Sequence, residues 1–236
     1  MRLAINIDHI ATLRNARGGT LPDTVRAALI CENAGAAGIV CHLREDRRHM
    51  RDDDIYRLRQ EISTKLDLEM AATPEILGIA RKVVPDLCTF VPEKRRELTT
   101  EGGLDVVRQR TKIRLAISMM HEKGIAVSLF VDPARDQIEA SKEAGADMIE
   151  IHTGEYADAK NAAERRRHLR TIAAIASFAR SLELGVNAGH GLNYTNIGPI
   201  VGIEGIEEVS IGHAIIVEAM ETGLFAAVKR MHRLVR

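Results

Sequence analysis

The sequence predicts an α/β fold, a closed (β/α)8 barrel with extra helices, with residues 1–236 forming one domain. Three observations carry that expectation. Eight short apolar runs of strand length alternate with longer amphipathic runs along 236 residues, the usual size of one such barrel. Two stretches, "ENAGAAGIVCHLRED" and "KEAGADMIEIHTGEY", align on Ala-Gly, and seven residues beyond each glycine stands a histidine, His42 or His152. Finally, no G-x-G-x-x-G follows the first strand, where an open dinucleotide-binding sheet would carry one.

The elements follow in order. Arg2–Asp8 opens as a strand, and "RNARGG" after it reads as part of a loop whose arginines beside glycines suit an anion. Thr24–Asn33 sets Val25, Ala28, Leu29 and Glu32 at helical spacing. Gly38–His42 is the second strand, and the charged "HLREDRRHMRDDD" that follows reads mostly as a solvated face before a helix over Asp54–Thr64. Asp67–Met70 is the third strand, then a helix over Pro74–Val83, with Pro74 suited to a first turn. Leu87–Val91 is the fourth strand. The long "VPEKRRELTTEGGLDVVRQR" then predicts an extra helix and a substrate loop before a helix over Arg110–Lys123. Ala126–Val131 pairs with a helix over Ala134–Ala144, and Met148–His152 with the longest helix, Asn161–Leu182. Leu184–Asn187, a short helix over Tyr194–Val201, the strand Glu208–Ile211 and one final helix, Ala214–Leu234, complete the chain.

Composition limits the function classes. Thirty-three basic residues balance thirty-three acidic ones, which argues against a general nucleic-acid or anionic-membrane binder. Trp is absent and aromatics are 3%, so base-stacking platforms are not expected. No apolar run reaches membrane-spanning length, and Asp8 and His9 interrupt the start too early for a signal-peptide core. Three cysteines without paired spacing fit reduced thiols in a cytoplasmic protein.

Barrel active sites gather at strand C-termini. In this chain those ends carry Asn6, Asp8 and His9; His42 and Arg44; Glu69; Glu93; Asp132; Glu150 and His152; Asn187 and His190; Gly212 and His213. Of nine histidines, five stand directly at strand ends and His49 lies on the second loop. A single strand-end histidine is more often a structural hydrogen-bonder than a catalyst, so the recurrence around the ring is the signal. Glu69 and Glu150 sit inside apolar runs, where a carboxylate must be paired, hydrogen-bonded or neutral. For Glu69 a salt bridge to Arg44 competes with a functional role. "GHG" and "SIGHAI" follow the seventh and eighth strands, where barrels often bind phosphate with backbone N–H groups. Simple βα turns compete with that reading. Gly189 is expected to make the turn that exposes His190, and Gly191 to leave backbone open to a phosphate. No lysine stands at a strand end, which weakens a Schiff-base aldolase. No H-x-H, H-E-x-x-H or spaced Cys/His set demands a metal, although strand-end His and Glu can still assemble one in space.

Seven segments in order, "NIDHIATLRNARGG", "HLREDRRHM", "LEMAAT", "VPEKRRELTTEGGLD", "EIHTG", "VNAGHGLNY" and "IGHAII", closely resemble the pyridoxine 5′-phosphate synthase family. The resemblance runs from Asn6 to about Ile216. It implies a TIM barrel whose extra helices help assemble a homo-octamer in the bacterial cytoplasm. The implied reaction condenses 1-deoxy-D-xylulose 5-phosphate with 3-amino-2-oxopropyl phosphate to pyridoxine 5′-phosphate, phosphate and water, without metal or organic cofactor. By motif, His42 and Glu69 resemble proton acceptors, His190 a proton donor, and Glu150 a stabiliser of the transition state. Asp8, His9, Arg44, His49 and Thr99 resemble contacts to the deoxyxylulose phosphate. Asn6, Arg17, Gly191, Gly212 and His213 resemble those to the aminoketone phosphate. The chemistry suits the residues: an imine between two substrates needs no enzyme lysine, and later proton transfers need groups titrating near working pH. A closing loop carrying Thr99 would keep water from the intermediates.

Two other readings remain at this point. A metal-free barrel acting on one sugar phosphate predicts one anion pocket instead of two. A metabolite-binding barrel explains the glycines and arginines but leaves Glu69 and Glu150 without purpose.

Overall fold

Alternation along each strand decides what faces where. In the computed structural model, which describes residues 1–93 and 102–236, Lys65–Met70 (β3) alternates Lys65, Asp67 and Glu69 with Leu66, Leu68 and Met70. Period-two geometry puts the polar triplet on one face and the apolar triplet on the other. The Lys65–Glu208 ion pair joins β3 to Glu208–Ile211 (β8), two strands that are not hydrogen-bonded neighbours. The polar face therefore points into a closed barrel. The apolar face, with Leu66, Leu68, Ile149, Ile151, Val186 and Val209 fully buried, meets the surrounding helices.

The remaining strands are Arg2–Asn6 (β1), Gly38–His42 (β2), Leu87–Phe90 (β4), Ala126–Val131 (β5), Met148–His152 (β6) and Gly185–Gly189 (β7). All pair in parallel and in sequence order, and β8 closes on β1 through Leu3↔Val209 and Ile5↔Ile211. The expected (β/α)8 TIM barrel is thus the fold. The aligned "AGAAG" and "AGAD" segments share one device. Thr24–Ala34 (α2) and Arg135–Ala144 (α6) each end at a glycine in left-handed backbone, Gly35 at φ 106° and Gly145 at φ 93°. Each glycine closes its helix and turns the chain into the next buried strand.

Several boundaries differ from expectation. Asp8–Arg17 is a helix (α1), not a loop, and Asp8 is its first residue. Arg14, expected to offer itself to an anion, is buried against Asp54 at 2.5 Å. The other helices are Asp52–Glu61 (α3), Pro74–Val83 (α4), Val106–His121 (α5), Gly154–Ala157 (α7), Ala162–Ser181 (α8), Ile197–Val201 (α9), His213–Thr222 (α10) and Leu224–Leu234 (α11). The single final helix is two helices, because Gly223 at φ 83° and ψ 149° leaves helical geometry. β7 runs on to Gly189, and so brings His190 to the barrel rim directly.

Candidate active site

The strand C-termini surround a cavity of about 470 Å³. Its walls take His42, Glu69, Glu150 and His190 together with Asn6, Asp8, His9, Arg44, His49, Gly191, Gly212 and His213. Twelve of the fourteen expected site residues therefore meet in one place. Arg17 does not: it sits exposed on the last turn of α1 and is not among the cavity-lining residues. Thr99 lies in residues 94–101, outside the described residues.

One side of the cavity is a hydrogen-bonded cluster. Asn6 ends β1 and bridges two acids, its Nδ2 donating to Asp8 at 3.1 Å and to Glu69 at 3.4 Å. Asp8 in turn accepts the backbone N–H of His42 at 2.8 Å, which pins the end of β2 to the start of α1. His42 lies with Nε2 2.9 Å from Glu93 and Nδ1 3.9 Å from Glu69. Glu69 has no bridge to Arg44. Burial first, then the neighbouring charges of Glu150, Asp8 and Asp67, push its carboxyl well above the usual range, against the pull of the Asn6 hydrogen bond. Burial and like charge of this kind raise a carboxyl's affinity for a proton, so the Glu69 carboxylate is a stronger base than a solvated one. Among the described residues, Asp8, His42 and Glu69 are the one trio with ligand atoms within 4.8 Å of one another. Protein donors contact both Asp8 oxygens and one Glu69 oxygen, so the trio is tied into the fold by hydrogen bonds.

Across the barrel, Glu150 is buried on β6 and is pushed up to about 8, chiefly by burial and then by the charges of Asp67 and Glu208. Its room comes from Gly189: a Cβ there would collide with Glu150 Oε1. This corrects the turn role expected for Gly189, which is the last residue of β7. The turn belongs to His190 itself, at φ 76°, an uncommon conformation for a non-glycine residue. Thr153 Oγ1 donates to the carbonyls of Gly189 at 2.7 Å and His190 at 2.6 Å and holds that turn. The His190 imidazole packs edge-on against His152, ring centres 5.0 Å apart. Burial, then His152, lowers its proton affinity, which suits a group that gives its proton away.

Two adjoining features of the cavity wall suit anions. At one, His9 packs edge-on against His213 at 5.1 Å, His49 accepts from or donates to Thr12 Oγ1 at 2.8 Å, and Arg44 is buried with its Nε 3.5 Å from Asp46 Oδ1. At the other, Gly212 caps α10, whose first-turn N–H groups have no partner within the helix, and Gly212, His213 and Ala214 line the cavity. A Cβ at Gly212 would press on Asn6 at 3.1 Å, so glycine there also keeps the bridging amide in place.

Sequence reasoning gave no role to Glu93, Asp132, Phe130, Asn193 or Ser210. Glu93 and Asp132 had shown the signal, a carboxylate just past a strand, but not the partner. Each holds a histidine of the rim: Glu93 holds His42, and Asp132 holds His152 Nδ1 at 2.9 Å.

Known proteins resemble this chain over nearly its whole length. The family model described as "Pyridoxal phosphate biosynthesis protein PdxJ" matches residues 3–236. The chain is 57% identical over 236 residues to the pyridoxine 5′-phosphate synthase of Pelodictyon phaeoclathratiforme, covering 100% of both chains. It is 54% identical over 235 residues to that of Geobacter sulfurreducens, covering 100% of this chain and 98% of the relative. Among solved structures, KGPDC from Streptococcus mutans superposes with a TM-score of 0.67 at 11% identity, covering 99% of this chain and 96% of the other. Thiamine phosphate pyrophosphorylase from Pyrococcus furiosus superposes at 0.64 with 15% identity, covering 99% and 95%. These last two likenesses are of fold alone.

Proposed function

Since the chain belongs to the pyridoxine 5′-phosphate synthase family and is an enzyme of vitamin B6 biosynthesis, we propose that it condenses 1-deoxy-D-xylulose 5-phosphate with 3-amino-2-oxopropyl phosphate. The products are pyridoxine 5′-phosphate, inorganic phosphate and water. The observation that carries this reading is the convergence of His42, Glu69, Glu150 and His190 on one cavity that also takes His9, Arg44, His49, Gly212 and His213 into its wall.

The amine of one substrate attacks the ketone of the other, and loss of water leaves an imine between them. His42 and Glu69, facing each other across 3.9 Å, take protons from carbons beside carbonyl or imine groups. His190, with lowered proton affinity, delivers a proton to a departing oxygen. Glu150, protonated near neutral pH, stabilises the charge that develops between them. His9, Arg44 and His49 bind the deoxyxylulose phosphate, Asp8 its polar groups; Asn6, Gly191, Gly212 and His213 bind the aminoketone phosphate. Arg17 and Thr99 complete the two sets on the strength of the resemblance alone. Holding both phosphates fixes the reacting ends together and removes an entropic barrier. No metal or organic cofactor takes part, residues 1–236 act as one domain, and the working form is a cytoplasmic homo-octamer.

The test is purified protein with both substrates and no added metal, with pyridoxine 5′-phosphate followed by chromatography. Product is expected in the presence of chelator. Abolition by chelator with restoration by a divalent cation would overturn the metal-free route. His190→Asn is expected to lose turnover by about 10²-fold or more while still binding inorganic phosphate. Unchanged turnover would remove the proton-donor role.

A further inference from the structure

Glu93 stands three residues beyond β4, and its side chain is 5% exposed. Both carboxylate oxygens are engaged. Oε1 lies 2.9 Å from His42 Nε2, and Oε2 accepts the backbone N–H of Glu45 at 3.1 Å. Burial by itself would raise this carboxyl, yet its bonds to His42 and Glu45 and the nearby Arg44 charge hold it below the usual carboxylate range. It is therefore an anion, and an anionic carboxylate can only accept hydrogen bonds. The hydrogen between Glu93 and His42 must then belong to Nε2. A neutral imidazole carries one N–H, so Nδ1 is bare. Nδ1 faces Glu69 at 3.9 Å, too far for a direct hydrogen bond.

We propose that Glu93 is a positioning residue for His42: it locks the imidazole in the Nε2–H tautomer and so makes Nδ1 the basic atom presented to the cavity. The proposal rests on the reading of His42 as a base. It adds which nitrogen acts and what selects it. When Nδ1 takes a proton, the imidazolium forms against the Glu93 carboxylate and is stabilised, as a carboxylate behind a catalytic histidine does in hydrolase triads. The other charged or titratable groups around the ring are Glu69 on β3, Asp8 on α1, and Arg44 and His49 after β2. Asp8 spends Oδ1 on the His42 backbone rather than the ring. Arg44 and His49 oppose imidazolium. Of these groups Glu93 alone lies within hydrogen-bonding distance of the ring.

The experiment is nitrogen NMR of the full-length, histidine-labelled protein, with His42 assigned by loss of its signal in His42→Gln. It is paired with the pH profile of kcat/KM. Wild-type His42 is expected as the Nε2–H tautomer. Glu93→Gln keeps the shape and removes the charge, so the tautomers should mix and the imidazolium should lose its stabilising partner. The acid limb of kcat/KM should then move down, and kcat should drop about 10- to 100-fold with little change in KM. Glu93→Asp should keep the acid limb at its wild-type pH. A wild-type Nδ1–H tautomer would overturn the assignment. So would a Glu93→Gln protein whose tautomer and acid limb are unchanged, even if slower, because loop support alone moves neither. If the wild type makes no product, the proposed reaction fails, while the tautomer comparison still decides the role of Glu93.

Discussion

At the scale of single residues, the site depends on where side chains are absent as much as on where they are present. Glu150 can lie flat inside the barrel only because Gly189, beside it on the neighbouring strand, has no Cβ to occupy the same space. Gly189→Ala must therefore push the Glu150 carboxyl away from the cavity or shift β7. Overpacking of this kind typically costs about 1–3 kcal/mol, and displacing Glu150 should cut turnover about 10²-fold. Gly198 is the control: it lies in α9 with open space where a Cβ would go. Gly198→Ala should hold turnover and gain about 0.5–1 kcal/mol from helix propensity. Denaturant melts and steady-state rates on the two variants separate these outcomes. Equal behaviour would show that Glu150 has room the geometry denies it.

At the scale of elements, the helix that sequence reasoning missed explains how the second loop is held. α1 buries Asp8, Ala11 and Arg14 while leaving Leu13 57% exposed. Its inward face is polar, so no apolar stripe of helical period marks it. That polar face ties elements together. Arg14 bonds Asp54 at the start of α3 and the His49 carbonyl, while Asp54 also accepts from Thr24 at the start of α2 and from the Arg51 backbone. Arg14→Met leaves the Asp54 charge buried without its cation and should cost about 3–5 kcal/mol, while Arg14→Met with Asp54→Asn should recover much of that loss. Arg17→Met, at an exposed position on the same helix, should change stability by less than about 0.5 kcal/mol. Chemical denaturation of the three proteins checks the ordering; equal losses for Arg14→Met and Arg17→Met would refute it. The same reasoning explains what was legible. Gly38–His42 declared itself through a continuous apolar run, Met148–His152 through apolar residues on both sides of Glu150, and strand-end polarity found the cavity. The break at Gly223 was hidden because the apolar pattern continues across it. The partners of Glu93 and Asp132 were hidden because they are set by neighbouring loops, not by spacing along the chain.

At the scale of the whole molecule, the barrel reverses the usual arrangement: its apolar core is the sleeve between strands and helices, and its axis is lined with acids. Asp67, Glu69, Glu150 and Glu208 project inward with Lys65, and Thr89 donates to Asp67 at 2.8 Å. Burial pushes Asp67 up to about 7 and Glu150 to about 8, with Glu69 also raised. In the unfolded chain these carboxyls titrate near about 4. Between those values the folded protein binds more protons than the unfolded one, so stability falls as pH rises. The lowered histidines, His9, His49, His190 and His232, act in the opposite sense, but only below about pH 6.5, where the unfolded chain takes up their protons. The lowered carboxylates, such as Asp54 and Glu93, act lower still. From pH 6.5 to 8 the barrel acids are thus left to set the slope, up to about 1.4 kcal/mol per pH unit for each carboxyl still protonated in the fold. Thermal melts across that window should show the midpoint falling by several degrees. Asp67→Asn, which can still accept from Thr89, should flatten the lower half of the window, where Asp67 loses its proton. A midpoint that stays level or climbs from pH 6.5 to 8 in the wild type would mean that these carboxyls enter the fold already ionised. Glu150 would then be an anion in the barrel and could not stabilise the developing charge as a neutral acid.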